Sequence, residues 1–413
     1  MSLTIRILIA LLLGLASGIA LSEWGGALDA DIVDIAQPIG KAWLNGLQMP
    51  LIPLIFSLLV TGVASAATTA RTSGMAGRAL LLFALMLLGS ASVAALIGPL
   101  LLHWWPVPAG AIGALAGAGA TADVPGVRPS AEWLLGFIPA NPIRSAAEGQ
   151  VVAVVLFALV FGFAVTRISD DRRVALTGFL AALVDTLLVV VGWVLWLAPI
   201  GVFALALVAG SRSGLATAGA LLHYIGFIVL ICLAVTLLVY PLVMGLGRIA
   251  PGRFARAALP AQIIAFSTQS SIASLPAMIA ASDGPLEVRE ATRSIVLPLA
   301  ISLFRITSPP ANLGIALYVA AMNGVALGPL QIVMGVLVAA VVSLAAVGLP
   351  SQITFFTTTG PICLAMGVPV EALPLLLAVE TVPDIFRTVG NVTADMGVTR
   401  IIDRLGSGIQ GEY

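Results

Sequence analysis

The sequence predicts an all-α, polytopic membrane protein. Three observations carry that reading. Of 413 residues, 60% are hydrophobic and 9% charged, which leaves too little polar surface for a soluble domain to face water. Apolar runs of roughly 20 residues, the length a helix needs to cross a bilayer, recur along the chain. The roughly 10-residue alternating strands of an outer-membrane barrel do not.

Composition also excludes several functions. Nineteen basic residues balance nineteen acidic ones, so there is no charge excess for nucleic acid. Cys232 and Cys363 both lie in apolar runs, where a free cysteine behaves as a small hydrophobe. There is no CxxC, and His103 and His223 stand apart, which excludes a zinc site and HExxH chemistry. No cofactor is expected.

The chain begins MSLTIRILIALLLGLASGIAL. Its apolar run exceeds the roughly 7–15 residues of a signal peptide and has no clean A-x-A exit, so it reads as the first membrane helix. Further apolar segments fall at 42–66, 79–104, 131–166, 174–210 and 217–246. Glu23, Asp29, Asp31 and Asp34 make 23–34 an acidic outer loop. The Gly/Ala/Pro-rich stretch 106–130 reads as a flexible outer connection. It lacks the GK[ST] of a phosphate cradle.

Beyond residue 250 the pattern changes. Segments at 257–283, 291–325, 328–370 and 372–398 are interrupted by Ser, Thr, Gly and Pro. Two halves share one plan, an interrupted hairpin with a polar tip followed by a helix carrying ionisable groups. The tips are STQSSIASLP (267–276) and VGLPSQITFFTTTGP (347–361). Paired interrupted segments point to a transporter site built from inverted repeats. Broken backbone at membrane depth survives only where it is buried in protein or lines a cavity.

Basic residues set the orientation. With the N-terminus cytoplasmic, thirteen fall inside: Arg6, Arg71, Arg78, Arg167, Arg172, Arg173, Arg248, Arg253, Arg256, Arg289, Arg293, Arg400 and Arg404. Lys41, Arg128, Arg144 and Arg212 fall outside. This bias requires 257–283 and 328–370 each to enter and leave on one side, as re-entrant hairpins. Arg305 and Arg387 remain inside the membrane, where an arginine costs about 2.5–3.5 kcal/mol on translocon scales.

The last segment, VETVPDIFRTVGNVTADMGVTR (379–400), carries Glu380, Asp384, Arg387, Asn391 and Asp395 on one helical stripe. Such a stripe must face protein or an aqueous path. An arginine offers a two-pronged donor for a carboxylate. An aspartate one turn away offers acceptors for an ammonium group. Together they suit a substrate with carboxylates and an amine. An intramembrane aspartyl protease is a poor fit, because Asp384 and Asp395 would stand about 16 Å apart along one helix.

These residues resemble the glutamate transporter family, the dicarboxylate/amino acid:cation symporters. RTVGNVTAD (387–395) resembles the family's R-T-x-x-N-V-x-x-D signature, and AFSTQSSIASLP its serine-rich first hairpin tip. LQMPLIPLIFSLLVTGVAS (47–65), IPANPIRSAAEGQVVAVVLFALVFG (138–162) and APIGVFAL (198–205) resemble its second, fourth and fifth helices. The resemblance implies eight transmembrane helices plus two re-entrant hairpins. It implies that Arg387 binds a substrate side-chain carboxylate and Asp384 its amino group. Asn391, Thr388 and Ser308 would complete the site, and Ser270 and Ser271 would serve the α-carboxylate. The second tip, around Gly348, Leu349 and Pro350, would close over the substrate. Dicarboxylate carriers of the family usually lack an acid three residues before the arginine, so Asp384 favours aspartate or glutamate over succinate or malate.

The same resemblance places cation sites around Asp395, Asn391, Glu380, Ser302 and Ser343. The family's seventh helix carries N-M-D-G-T at the centre of its sodium sites. NLGIALY (312–318) matches it only across a seven-residue gap; the ungapped match puts FRITS (304–308) there. Phe304, Arg305 and Ile306 then replace the motif's Asn, Met and Asp. In the third helix Met86 and Gly89 stand where ligands are expected, beside Ser90. Sodium needs about five or six oxygens by analogy with other hard cations, so these sites look dismantled.

Three roles are open to Arg305: a built-in cation beside Asp395 or Asp384, a purely structural counter-charge, or a direct substrate contact. If sodium is not the driver, Glu380, Asp384, Asp395 and, last, Asp185 are the carboxylates to carry a proton. Ser351 and Gln352 follow Pro350 where the family is rich in glycine and alanine. The resemblance further implies a scaffold of 1–68 and 131–212, with helix 3 and an outer loop at 69–130. Residues 213–413 would form a mobile transport domain. A homotrimer of the inner membrane with elevator-type motion is expected, its termini cytoplasmic. The competing expectation is a proton-coupled C4-dicarboxylate symporter.

Overall fold

The computed structural model describes residues 3–24, 26–72, 74–108, 138–345 and 351–407. Among them every regular element is a helix. Four helices open the chain: α1 (Leu3–Trp24), α2 (Ala27–Gln48), α3 (Leu51–Thr72) and α4 (Gly74–Trp104). Next come α5 (Pro142–Ala147), α6 (Val151–Val165), α7 (Asp170–Trp196), α8 (Ala198–Ser213) and α9 (Leu215–Leu246). The C-terminal part holds α10 (Pro251–Thr268), α11 (Ser271–Asp283), α12 (Glu290–Leu303), α13 (Ser308–Met322), α14 (Pro329–Ala345), α15 (Ser351–Met366), α16 (Leu373–Val379) and α17 (Thr381–Ser407).

Among the described residues, six stretches are long and apolar enough to cross a membrane unaided: Ile5–Trp24, Asp29–Thr68, Gly74–Trp104, Asp170–Trp196, Ala216–Leu246 and Glu290–Met322. The chain is a multi-pass membrane protein. The expected second, fourth, fifth, seventh and eighth membrane helices each come in two pieces. One expectation fails. Residues 27–34 are not an acidic loop but the first turns of α2. Asp29 accepts a hydrogen bond from the Ser211 hydroxyl at 2.7 Å, while its neighbours stay on the helix's solvated side.

Two packing groups emerge. Helix α1 lies along α8, α2 joins it, and α3 packs on α6 and α7. Small residues allow that approach. A side-chain carbon on Gly18 would collide with the Leu207 carbonyl, and one on Gly210 would sit 2.7 Å from the Leu15 carbonyl. In the second group α17 is sheathed by α9, α10, α11 and α12. Helix α13 packs on α4, α9, α14 and α15, with every residue but Ala321 buried. A helix apolar all round is a core helix.

The expected hairpins are the helix pairs α10–α11 and α14–α15, each packed side by side. The first turns at Gln269, whose φ of 53° is left-handed. The tip of the second, with Gly348, Leu349 and Pro350, lies outside the described residues, as do the side chains of Ser351 and Gln352.

Candidate functional site

The site grows from a broken helix. Between α12 and α13 the backbone leaves helical geometry at 304–307. Pro309 and Pro310 then open α13, where a missing N–H is tolerated. A break frees backbone groups that must find partners inside the membrane. Thr307 N–H donates to Asn391 Oδ1 at 3.0 Å. The Thr307 hydroxyl lies 2.7 Å from the same oxygen and 2.9 Å from the Arg387 carbonyl. The break is thereby stitched to the polar stripe of α17.

The stripe faces inward. Glu380, Arg387, Asn391 and Asp395 are buried, and Asp384 is half-buried. Glu380 sits at the joint between α16 and α17 rather than inside one helix. Arg387 Nη1 donates to Glu380 Oε1 at 2.6 Å. Its Nη2 donates to Asn312 Oδ1, also at 2.6 Å. The second Glu380 oxygen accepts from Tyr224 Oη at 2.6 Å. Asn312 Nδ2 donates to Thr358 Oγ1 at 2.9 Å. One cluster therefore joins α9, α13, α15 and α17 around a single guanidinium. A buried charge survives only when paired and hydrogen-bonded, and here both conditions are met.

The other expected residues divide. Thr388 is buried and its hydroxyl turns back to the Asp384 carbonyl at 2.9 Å. Ser270 caps α11, accepting from Ala273 N–H at 3.2 Å. Ser270 and Ser271 are half-buried at the first tip. Phe266 beside that tip meets Phe386 of α17 edge-on at 6.4 Å. Among the described residues no hydrogen bond joins either serine to Arg387. Ser308 is buried at the start of α13. Ser302 is exposed and bonds back to the Pro298 carbonyl, away from the cluster. Ser343 is buried, with its hydroxyl unpartnered among the described residues. Asp185 is exposed on α7, apart from these groups.

Arg305 lies in the break, half-buried, with no ion-pair partner within 4 Å among the described residues. The charges that act on it are Arg387, Asp384 and Asp395. Asp395 is 1% exposed, and its Oδ1 has no hydrogen-bond partner among the described residues. Phe304 is fully buried and stacks on Phe83 of α4, ring centres 4.8 Å apart. Ile306 is buried in the same apolar cluster, with Met86 against its edge. Gly89 faces open space.

Sequence reasoning missed Tyr224, Asn312, Thr307 and Thr358. Asn312 left a trace, because NLGIALY attracts attention as a motif. Its polar head on a helix that is apolar all round was the usable signal.

The Sodium:dicarboxylate symporter family profile matches residues 3–405. The chain is 25% identical over 411 residues to the Proton/glutamate-aspartate symporter of Escherichia coli strain K12, covering 95% of this chain and 90% of that protein. It is 29% identical over 430 residues to Neutral amino acid transporter B(0) of Oryctolagus cuniculus, covering 95% and 78%. It is 27% identical over 432 residues to the C4-dicarboxylate transport protein of Deinococcus radiodurans, covering 100% and 93%.

Proposed function

Since the chain belongs to the Sodium:dicarboxylate symporter family, and is a membrane transporter rather than an enzyme, we propose that it imports acidic amino acids, aspartate or glutamate. The observation that carries this reading is Arg387, buried in α17 with Asp384 one turn before it on the same face. The guanidinium fork already holds two oxygen acceptors 2.6 Å away. A substrate carboxylate presents the same chemistry. Asp384 supplies the acceptor for an ammonium group.

Coupling to sodium is lost or reduced in this proposal, and Arg305 is the built-in cation. Two features support it. Phe304 fills its place with an aromatic stack on Phe83, where an oxygen ligand would be needed. Arg305 lies within electrostatic reach of Asp395, whose Oδ1 has no hydrogen-bond partner among the described residues. Asn391 spends its oxygen on Thr307. Protons are then the candidate coupling ion, with Glu380, Asp384 and Asp395 the carboxylates to carry them.

The transporter sits in the inner membrane as a homotrimer in this reading. The α9–α17 group moves as an elevator against the α1–α8 group, with α4 travelling alongside it. A second reading, a proton-coupled C4-dicarboxylate symporter, draws on the same Arg305. If Arg305 neutralises Asp384, the ammonium preference is lost and two guanidiniums face two carboxylates. The relative from Deinococcus radiodurans carries the name C4-dicarboxylate transport protein.

The test is uptake of labelled aspartate into liposomes holding the purified protein. Sodium is compared with choline at two internal pH values, for wild type and Arg305→Met. Uptake indifferent to sodium in wild type is expected, with sodium dependence or loss of activity in the variant. Strict sodium dependence of wild type sinks the built-in cation. Succinate uptake without aspartate uptake moves the assignment to dicarboxylates.

A further inference from the structure

Glu380 meets the Arg387 guanidinium with one carboxylate oxygen rather than both. Its Oε1 accepts from Arg387 Nη1 at 2.6 Å, and no second hydrogen bond joins the pair among the described residues. A carboxylate beside a guanidinium tends to close on it with both oxygens, because parallel N–H donors match its paired acceptors. What holds the second oxygen back comes from another helix. Glu380 Oε2 accepts from the Tyr224 hydroxyl of α9, also at 2.6 Å. That is the short separation of an O–H donor on an ionised oxygen.

Tyr224 is a fixed point. It is fully buried, and its ring meets Tyr318 of α13 edge-on, ring centres 5.4 Å apart. The Tyr318 hydroxyl donates to the Ala220 carbonyl at 2.7 Å, one turn before Tyr224 on α9. An aromatic ring packed on all sides cannot follow a carboxylate that moves. The guanidinium is left partly free as a result. Its Nη2 donates to Asn312, while its Nε has no partner among the described residues.

We propose that Tyr224 is a positioning residue for substrate binding. By holding Glu380 Oε2 it keeps Glu380 from closing both oxygens on Arg387, and so leaves donors of the fork to a substrate carboxylate. This rests on the reading of Arg387 as the group that grips that carboxylate. Glu380 then neutralises the buried guanidinium without blocking it. Without the phenol, a buried carboxylate oxygen loses its donor, which is costly. The guanidinium beside it offers replacements. Glu380 becomes an internal competitor of the substrate.

The test is uptake kinetics in liposomes for wild type, Tyr224→Phe, Glu380→Gln and the double variant. The probe is labelled aspartate, or labelled succinate if that is what wild type transports. Tyr224→Phe is expected to raise KM about tenfold and to change the maximal rate per folded transporter less than about twofold. In the Glu380→Gln background the same substitution raises KM less than about twofold, because a carboxamide has a single acceptor oxygen for the fork. A merely structural loss would lower the thermal midpoint and the amount of active protein in both backgrounds and leave KM alone. An unchanged KM in Tyr224→Phe, or an equal rise in both backgrounds, overturns the proposal. A substrate-free structure of Tyr224→Phe reads the contact without any transport. Both Glu380 oxygens within hydrogen-bond distance of Arg387 are expected there, and a Glu380 still bound through one oxygen overturns the proposal. If wild type takes up neither aspartate nor succinate while the variant structure shows the closed pair, the carboxylate substrate is wrong and the restraint of Glu380 by Tyr224 stands.

Discussion

Asn312 accepts from Arg387 Nη2 at 2.6 Å and donates to Thr358 at 2.9 Å, so one amide orients the guanidinium and ties it to the second hairpin. Asn312→Ala leaves one buried guanidinium nitrogen without its acceptor, and the Thr358 oxygen without its donor while its hydroxyl still donates to the Thr354 carbonyl. That costs about 1–3 kcal/mol, seen as a lower thermal midpoint, and, on the role proposed for Arg387, it raises the substrate KM because the guanidinium loses its second anchor. Unchanged stability and KM would show that Asn312 fills space only. The stripe from Glu380 to Asp395 was legible in sequence for a physical reason. Helical periodicity puts those residues on one face, and lipid cannot accept that face. Asn312, Tyr224 and Thr358 were not legible. Asn312 stands alone among apolar neighbours, Tyr224 follows His223 and Thr358 is one of three successive threonines, and no local period tells which segments touch.

The broken segment at 304–307 is the element on which the site depends. Its hydrogen-bonding groups find partners on α17, chiefly through Thr307. Thr307→Val keeps the shape and the N–H but removes the hydroxyl donor to Asn391 and to the Arg387 carbonyl. Destabilisation of about 1–3 kcal/mol is expected, together with slower uptake, because the position of Asn391 and the path of α17 both rest on that hydroxyl. A variant as stable and active as wild type would mean that the break is held by packing alone, through Phe304 on Phe83. Pro309 and Pro310 advertised this break in the sequence, as proline and polar interruptions advertised both hairpins. The start of α2 was misread for the opposite reason. Its acidic residues look like a loop when composition alone is considered, yet charges on the solvated side of a helix end cost little, and Ser211 takes up Asp29.

At the scale of the whole molecule, the fold class and the family were both legible, because hydrophobicity over 413 residues and a long match leave few alternatives. Relative motion was not, since it depends on which packed surfaces slide. The proposed division puts α3 with the fixed group and α4 with the moving one. Between them lies an apolar cavity of about 480 Å³, bordered by Ala66 of α3, Ala84 of α4, Phe163 of α6 and Val341 of α14. A surface meant to slide is better served by apolar side chains than by ion pairs, because no charge must be stripped of its partner as it moves. A cross-link between the two helices tests this. With Cys232 and Cys363 replaced by serine or alanine, Ala66→Cys and Ala84→Cys are joined by a short bis-methanethiosulfonate, which forms a reducible disulfide with each cysteine and releases sulfinate. Uptake of the proposed substrate, aspartate, should fall to background while its binding persists, and reducing the linker should restore transport. Undiminished uptake in the linked protein would place α3 and α4 in one rigid body. The boundary between fixed and moving parts would then lie elsewhere, between α4 and the buried helix α13.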